Sequence, residues 1–304
     1  GFNKFSKNQI LETLLNSGCW PFIKQRPYDI IADPKDSPKS IFISTLNTAP
    51  ISADFEIVLN EQKKEFITGI TALKKLTEGD LNICVEKNHN SFINEIDNVK
   101  IHNISGVHPA GNVGVQIHHI DPVNSGEKVW VVGAEDVALI GKLFLTGEYN
   151  PTRTIAVSGP PVKYPQYYKT IVGSSLSEII KDAGIDTDLN LRFINGDVLT
   201  GRSVEKDNYL GFYNNTLSVL REGNQYRMFG WIPFINNAVP SIYKTSFSWL
   251  FPNKKYDLDT NLNGEERAFV VTGEMEDVFP MDIFPMQLLK ECMSGNIEKM
   301  ENLG

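Results

Sequence analysis

The chain has 304 residues, 41% of them hydrophobic, a length that suits about two domains and a composition that suits a packed core. Its formal net charge is -8 and it holds no long basic run. Nucleic acid is thereby excluded as the main partner, because phosphate binding needs clustered Lys and Arg.

In chain order, Ile10, Leu11, Leu14 and Leu15 recur at helical spacing. Ile41 to Ser44 is a short apolar run that reads as a strand. Glu61 to Leu76 reads as a helix, with Phe66, Ile67, Ile70, Leu73 and Leu76 in one stripe. Leu81 to Val85 and Val99 to Ile104 read as strands, and Val113 to Ile120 as a helix. Val129 to Val132 reads as a buried strand and Val137 to Leu145 as a helix. Thr154 to Val157 closes the series. Strands alternating with helices predict crossover connections, hence a Rossmann-like, largely parallel, three-layer α/β domain over residues 1–158. Gly159-Pro160-Pro161 breaks either kind of element and marks a boundary.

Tyr167 to Val172 then reads as a strand, and Ser174 or Ser175 caps a helix through Leu176, Ile179 and Ile180 to Gly184. Leu191 to Ile194 is the next strand, ended by Asn195-Gly196. This strand–helix–strand pattern predicts a small β-grasp, SLBB-like module over 159–204. Residues 205–273 read as a mixed β region, with strands at Leu217–Leu220 and Ala268–Val271 and an aperiodic stretch from Met228 to Phe234 between them. Residues 274–304 read as a C-terminal helical segment. In it Pro285 to Leu303 is helical, with Leu288, Leu289, Cys292 and Met293 on a shared face.

Cys19, Cys84 and Cys292 are scattered, with no CxxC among them. Cysteine therefore builds neither a zinc ribbon nor an iron–sulfur cluster here, and three lone thiols suit a reducing compartment. No stretch reaches the roughly 18–20 apolar residues that cross a bilayer. The longest candidate starts at Val129 and is interrupted by Glu135, Asp136 and Lys142. Gly1 stands where an initiator Met is expected, which predicts a piece of a longer chain, extended in both directions.

Three segments suggest chemistry. The first runs from Ser105 to Ile120: a strand ends, a glycine-containing turn follows with His108, Gly111 and Asn112, and a helix begins. In a parallel sheet such a turn lies on the carboxyl edge, where ligands bind, and a helix N-terminus offers N–H groups to an anion. The spacing is not GxGxxG, and the glycines equally suit a tight turn. His118 and His119 point about 100° apart on a helix and have no third ligand nearby, so they build no metal site. The second segment, Gly18 to Tyr28, crowds aromatics, prolines and two cations into a loop. Such a loop suits wrapping a planar apolar head group, or packing onto the domain. The third, Phe279 to Met286, reads as an anchor for the last helix or as a docking patch. No GxSxG occurs, so no serine nucleophile is indicated.

The His108-to-Pro122 run, the Val129-Trp130 strand, Gly141 to Phe144 with Thr146-Gly147, and the Phe279-to-Leu289 block carry a resemblance. In order and spacing they resemble the NqrA family, one of the subunits of the sodium-translocating NADH:quinone reductase. The resemblance covers nearly the whole chain and is weakest at 205–265. It implies a peripheral subunit on the cytoplasmic face of a bacterial inner membrane, within a six-subunit complex. That complex passes electrons from NADH to ubiquinone or menaquinone and pumps sodium, with FAD, FMN and iron held by partner subunits. The chain alone is then expected to have no turnover. The resemblance also leads one to expect an amino-terminal biotinyl-like domain and a further carboxyl-terminal part in the longer chain.

The family's fold is related to the flavin subunit of respiratory complex I and to the RnfC component of the Rnf electron-transport complex. Those relatives place a glycine-rich flavin loop after the first helix. Here Gly18 remains, but Cys19-Trp20-Pro21-Phe22 follows. Backbone must approach a flavin phosphate closely, and bulky side chains fill that space. Thr45 to Asp54 likewise lacks the acidic residues of the relatives' version. The CxxCxxC clusters of RnfC are absent too. The resemblance therefore implies a chain that keeps the fold but binds neither FMN nor NADH and holds no cofactor of its own. Trp20, Phe22, Arg26 and Tyr28 in the altered loop are then the candidate quinone-binding residues, with Arg26 donating to a quinone oxygen. The alternatives are a scaffold subunit without ligand and a flavin- or NADH-binding electron-transfer subunit.

Overall fold

The computed structural model describes residues 4–87, 91–225, 248–262, 268–270 and 272–303. Ser6 opens α1 (Lys7–Ser17) with a capping box: its hydroxyl accepts from the Gln9 amide, and the Gln9 side chain accepts from the Ser6 amide. Two N–H groups that a helix start leaves without partners are thus satisfied. Gly18, at φ +80, ends the helix in the left-handed conformation that glycine adopts without strain. The expected loop after it is more ordered than its composition suggests. One 3-10 turn (Trp20–Phe22) feeds β1 (Ile23–Arg26), which turns back into β2 (Ile30–Ile31).

The next strands and helices alternate. They are β3 (Ser40–Ser44), α2 (Phe55–Asn60), α3 (Lys63–Lys74), β4 (Asp80–Glu86), β5 (Lys100–Ile104), α4 (Val113–Ile120), β6 (Val129–Val132) and α5 (Ala134–Thr146). Of these, α2 has no counterpart in the apolar periodicity; Asp54 starts it by accepting from the Glu56 amide at 2.8 Å. One six-stranded sheet results, ordered β2-β1-β6-β3-β4-β5. Strands β6, β3, β4 and β5 run parallel, and β1 and β2 add an antiparallel edge.

Side chains alternate between the faces of a strand, and here both faces are apolar. Ile41, Ile43, Ile83 and Trp130 pack against α1, α3 and α5 through Leu14, Phe66 and Val137. Phe42, Cys84 and Val129 point the other way and meet Ile117 of α4. Helices therefore cover both faces of the sheet.

The second sheet is built from β7 (Thr152–Ser158), β8 (Gln166–Ile171), β9 (Leu191–Asn195), β10 (Arg202–Val204) and β11 (Thr216–Arg221), ordered β10-β9-β11-β7-β8. Among the described strand pairs of this sheet only β7–β11 is parallel. Between β8 and β9, α6 (Leu176–Asp182) lays Leu176, Ile179 and Ile180 on Ile155, Val157 and Leu217. The strand at Thr154–Val157 thus belongs to this sheet and does not close the first series. Its apolar run marks a buried strand, but long-range pairing alone selects the sheet it joins.

The C-terminal segment departs further from the pattern. It holds α7 (Glu274–Val278), α8 (Pro285–Ser294) and α9 (Ile297–Leu303), and the helical stretch from Pro285 to Leu303 is divided at Gly295, which sits at φ +72. Leu289 is 45% and Met293 82% exposed, while Met286 is buried; the expected apolar stripe is not the packed face. Residues 268–270 form no strand. Val271 and the stretch Met228–Phe234 lie outside the described residues. Among the described residues no helix is long and apolar enough to cross a membrane.

Candidate functional site

Strand β3 leads through α2 and α3 to β4 on one side, while β6 flanks β3 on the other. Connections diverge at that point, and open α/β sheets bind ligands in the crevice left at the carboxyl ends of such strands. A cleft of about 680 Å³ lies there, within the 300–1,000 Å³ typical of small-molecule sites. Leu46, Phe55, Val131, Val132 and Met281 supply apolar walls. Arg26, Ser44 and Asn112 bring hydrogen-bonding groups to the first sheet's side, and Asp197 and Thr200 reach in from the second sheet.

Arg26 arrives by strand alternation. Ile23 and Gln25 of β1 are buried, Gln25 accepting from the Trp130 indole at 3.1 Å, so Lys24 and Arg26 take the other face. The Arg26 guanidinium lies 3.3 Å from Asp29, and its Nε is buried without a partner. Asp29 also pairs with Lys24. Gly111 lines the cleft because only glycine fits: a Cβ there would stand 2.7 Å from the Thr48 amide nitrogen. Its N–H donates to the Thr48 hydroxyl at 2.9 Å. That hydroxyl also meets His108 Nδ1 at 3.2 Å, which holds His108 behind the turn. Asn112 occupies the N-cap of α4 without a capping bond from its side chain.

The structure thus brings Arg26, Gly111 and Asn112 together. It does not gather the aromatic loop around them. Trp20 is buried, its indole donating to the Ala32 carbonyl at 2.7 Å and its ring set edge-on to Trp130. Phe22 is 1% exposed and stacks on Phe212 at 4.9 Å. Tyr28 stands at the hairpin tip, 81% exposed. An aromatic in a short loop reads as ligand-facing or core-facing with equal ease; here the 3-10 turn ahead of β1 places Trp20 and Phe22 in the core. His119 donates through Nε2 to the Pro280 carbonyl at 2.6 Å, which ties the Phe279–Met286 segment onto α4. Among the described residues no group of three or more His, Cys, Asp and Glu is placed to hold a metal ion.

Asp197 and Thr200 carry no motif that sequence reasoning weighs, although Asp197-Val-Leu-Thr-Gly has the spacing of a side-chain-closed turn. Burial raises the Asp197 carboxyl, but the Thr200 hydroxyl and the Thr200 and Leu199 amides outweigh it and hold the group below its ordinary value. A smaller cavity of about 290 Å³ opens beside the cleft, lined by Thr45, Asn47, Asp54, Glu86 and Ser91 among others.

Behind the cleft lies a buried ionisable cluster that the sequence does not suggest. Glu135 and Asp136, in the first turn of α5, are 3% and 4% exposed. Asp136 pairs with Arg153 of β7, itself 2% exposed. Glu135 accepts from the Thr154 amide at 2.6 Å, and its second oxygen has no partner. Burial pushes the Glu135 carboxyl up to about 7. Burial also raises Asp136, against the pull of the Arg153 guanidinium.

Comparison with known proteins adds sequence relatives. Residues 5–149 match the family model described as NqrA second alpha/beta domain, and residues 154–206 the one described as NQRA C-terminal domain. The NqrA component of the Na(+)-translocating NADH-quinone reductase of Photorhabdus laumondii is 36% identical over 305 residues, covering 100% of this chain and 67% of that protein. The protein of the same name from Haemophilus influenzae (strain PittGG) is 37% identical, covering 99% and 67%, and that from Marinomonas sp. 38%, covering 98% and 66%. This chain therefore spans about two thirds of their length. Among solved structures, an NAD+-reducing [NiFe]-hydrogenase in the H2-reduced state aligns with a TM-score of 0.47 at 12% identity, over 78% of this chain and 51% of that one.

Proposed function

Because the chain belongs to the NqrA family of the Na(+)-translocating NADH-quinone reductase, we propose that it serves as one subunit of that sodium-translocating oxidoreductase and that its cleft receives the quinone head group. The observation that carries the second part is the position of Arg26. A donor-only guanidinium, its Nε buried and without a partner, lines a cleft with apolar walls at the switch point of the sheet. A quinone ring suits the apolar walls, and its carbonyl oxygens need donors. Arg26 supplies one and stabilises negative charge that develops on that oxygen during reduction. Asn112 and the first amides of α4 lie on the same side. Trp20 and Phe22 act from behind, holding β1 in place, and Tyr28 caps the hairpin that carries Arg26.

In this reading the part up to α5 is a Rossmann-like domain and the part from β7 to β10 a β-grasp module, followed by a mixed region to about 273 and a helical tail. The junction read at Gly159-Pro160-Pro161 follows β7, a strand that pairs in the second sheet. The chain is peripheral, docks at the cytoplasmic face of the membrane through partner subunits, and leaves flavins and iron to them. The buried Trp20 and Phe22 side chains support the loss of a flavin phosphate site in the loop after α1.

The test is a titration with a soluble, short-tail quinone, followed by tryptophan fluorescence. Wild type should show saturable quenching, and Arg26→Ala should weaken binding roughly tenfold or more, the scale of a hydrogen bond from a charged donor. Equal affinity in the two proteins overturns the role of Arg26. No saturable change in wild type favours a scaffold subunit without ligand.

A further inference from the structure

The buried cluster at the start of α5 lies where the two sheets meet, and the proposed quinone reading uses none of it. Ala134 lines the cleft, and Glu135, the next residue, leaves α5 toward the second sheet to accept from the Thr154 amide. The cleft's far wall, Asp197 and Thr200, belongs to that second sheet's side of the seam. The two walls are therefore held together partly through this carboxyl. We propose that Glu135 is a proton-operated latch: protonated, it closes the seam beneath the cleft, and deprotonated, it loosens it. The consequence for the cleft rests on the quinone reading; the latch itself does not.

The argument is one of solvation. As a neutral acid, Glu135 accepts the Thr154 N–H through one oxygen and carries no charge into the interior. As an anion it is 3% exposed, with one oxygen unpartnered, and a buried charge whose hydrogen bonds are incomplete is costly, a cost that opening the seam to water relieves. The neighbours do not cancel that charge. From β7, Arg153 faces it, but Arg153 is engaged by Asp136 and by the Asn214 carbonyl at 3.4 Å. From its own helix Asp136 opposes it, and from the turn between α2 and α3 Gln62 gives the anion a hydrogen bond but no countercharge. From β1, Lys24 acts on Asp136. The cluster thus holds two carboxyls and one guanidinium, and the odd proton falls on Glu135, whose carboxyl burial pushes up to about 7.

The readout is hydrogen exchange at the Thr154 amide, corrected for the intrinsic pH dependence of exchange. For a group at about 7 closed and at its ordinary value open, linkage predicts about a tenfold rise in opening from pH 6 to pH 8. Glu135→Gln, which keeps an accepting oxygen, should abolish that pH dependence. Carboxyl 13C resonances of the wild-type chain give a measurement that needs no variant: Glu135 should titrate near neutrality, in step with the Thr154 amide. Titration in the ordinary carboxylate range, or the same pH dependence in Glu135→Gln, overturns the latch. Short-tail quinone should bind more tightly at pH 6 than at pH 8 in wild type and equally at both in the variant. A latch intact by exchange with no quinone bound overturns the reading of the cleft alone.

Discussion

Glu135 shows how far a single side chain departs from its ordinary behaviour when the fold buries it. The carboxyl has an ordinary value of 4.5 and is pushed up to about 7. The native state therefore binds more protons than the unfolded chain between those limits, and stability must fall as pH rises through that window. The stabilising contribution is complete below about pH 4.5 and absent above about pH 7, a difference of about 3 kcal/mol. Chemical denaturation of wild type and Glu135→Gln at a series of pH values should show the difference between them converging toward low pH. Cys84 illustrates the same physics at a thiol: burial pushes it up to about 12, which makes it inert as a nucleophile at neutral pH.

At the scale of elements, the crossing of α3 and α5 depends on two glycines. A Cβ on Gly141 would stand 1.7 Å from the Glu65 carbonyl oxygen, and one on Gly69 would stand 2.0 Å from the Val137 carbonyl oxygen. Each helix thus presses backbone against backbone, and nothing flexible can yield. Gly141→Ala should cost about 3 kcal/mol or more, at the upper end of overpacking penalties, and urea denaturation should show it. Gly114, in the first turn of α4, offers the contrast, since a Cβ there meets nothing within 4 Å. Gly114→Ala should therefore stabilise by up to about 1 kcal/mol, the helix-propensity difference. The edge hairpin β1–β2 shows the other side of element formation. Its pairing with β6, Arg26 opposite Val129 and Gln25 opposite Trp130, decides which side chains of the aromatic loop see the cleft.

Across the whole molecule, the two sheets are joined by specific polar contacts. The Thr216 hydroxyl accepts from the Ala53 amide at 3.1 Å, the Tyr167 hydroxyl from the Asp54 amide at 2.9 Å, and Tyr213 donates to the Pro21 carbonyl at 2.8 Å. The Arg153–Asp136 pair is the buried ion pair among these ties. Removing one partner of a buried pair leaves an uncompensated charge and costs about 3–5 kcal/mol. Arg153→Ala should lower stability by that amount. In calorimetry it should also split one unfolding transition into two, as the sheets lose their common tie; a single transition at lower temperature would show that the remaining contacts suffice to couple them.

The sequence by itself determined most of the elements and the family. Helical periodicity marked α1, α3, α4 and α5, and short, largely apolar runs marked β3, β4 and β6, because those signals are local and come from the side chains that each element must bury. It did not determine which sheet β7 joins, since pairing partners are distant in the chain. Nor did it show that Trp20 and Phe22 face the core while Arg26 faces the cleft, because that follows from the 3-10 turn ahead of β1 and from the register of β1 on β6. The burial of Glu135, Asp136 and Arg153 was equally invisible. Two acids in a first helical turn look like ordinary complements to the helix dipole, and only the packing of the second sheet over them removes their water.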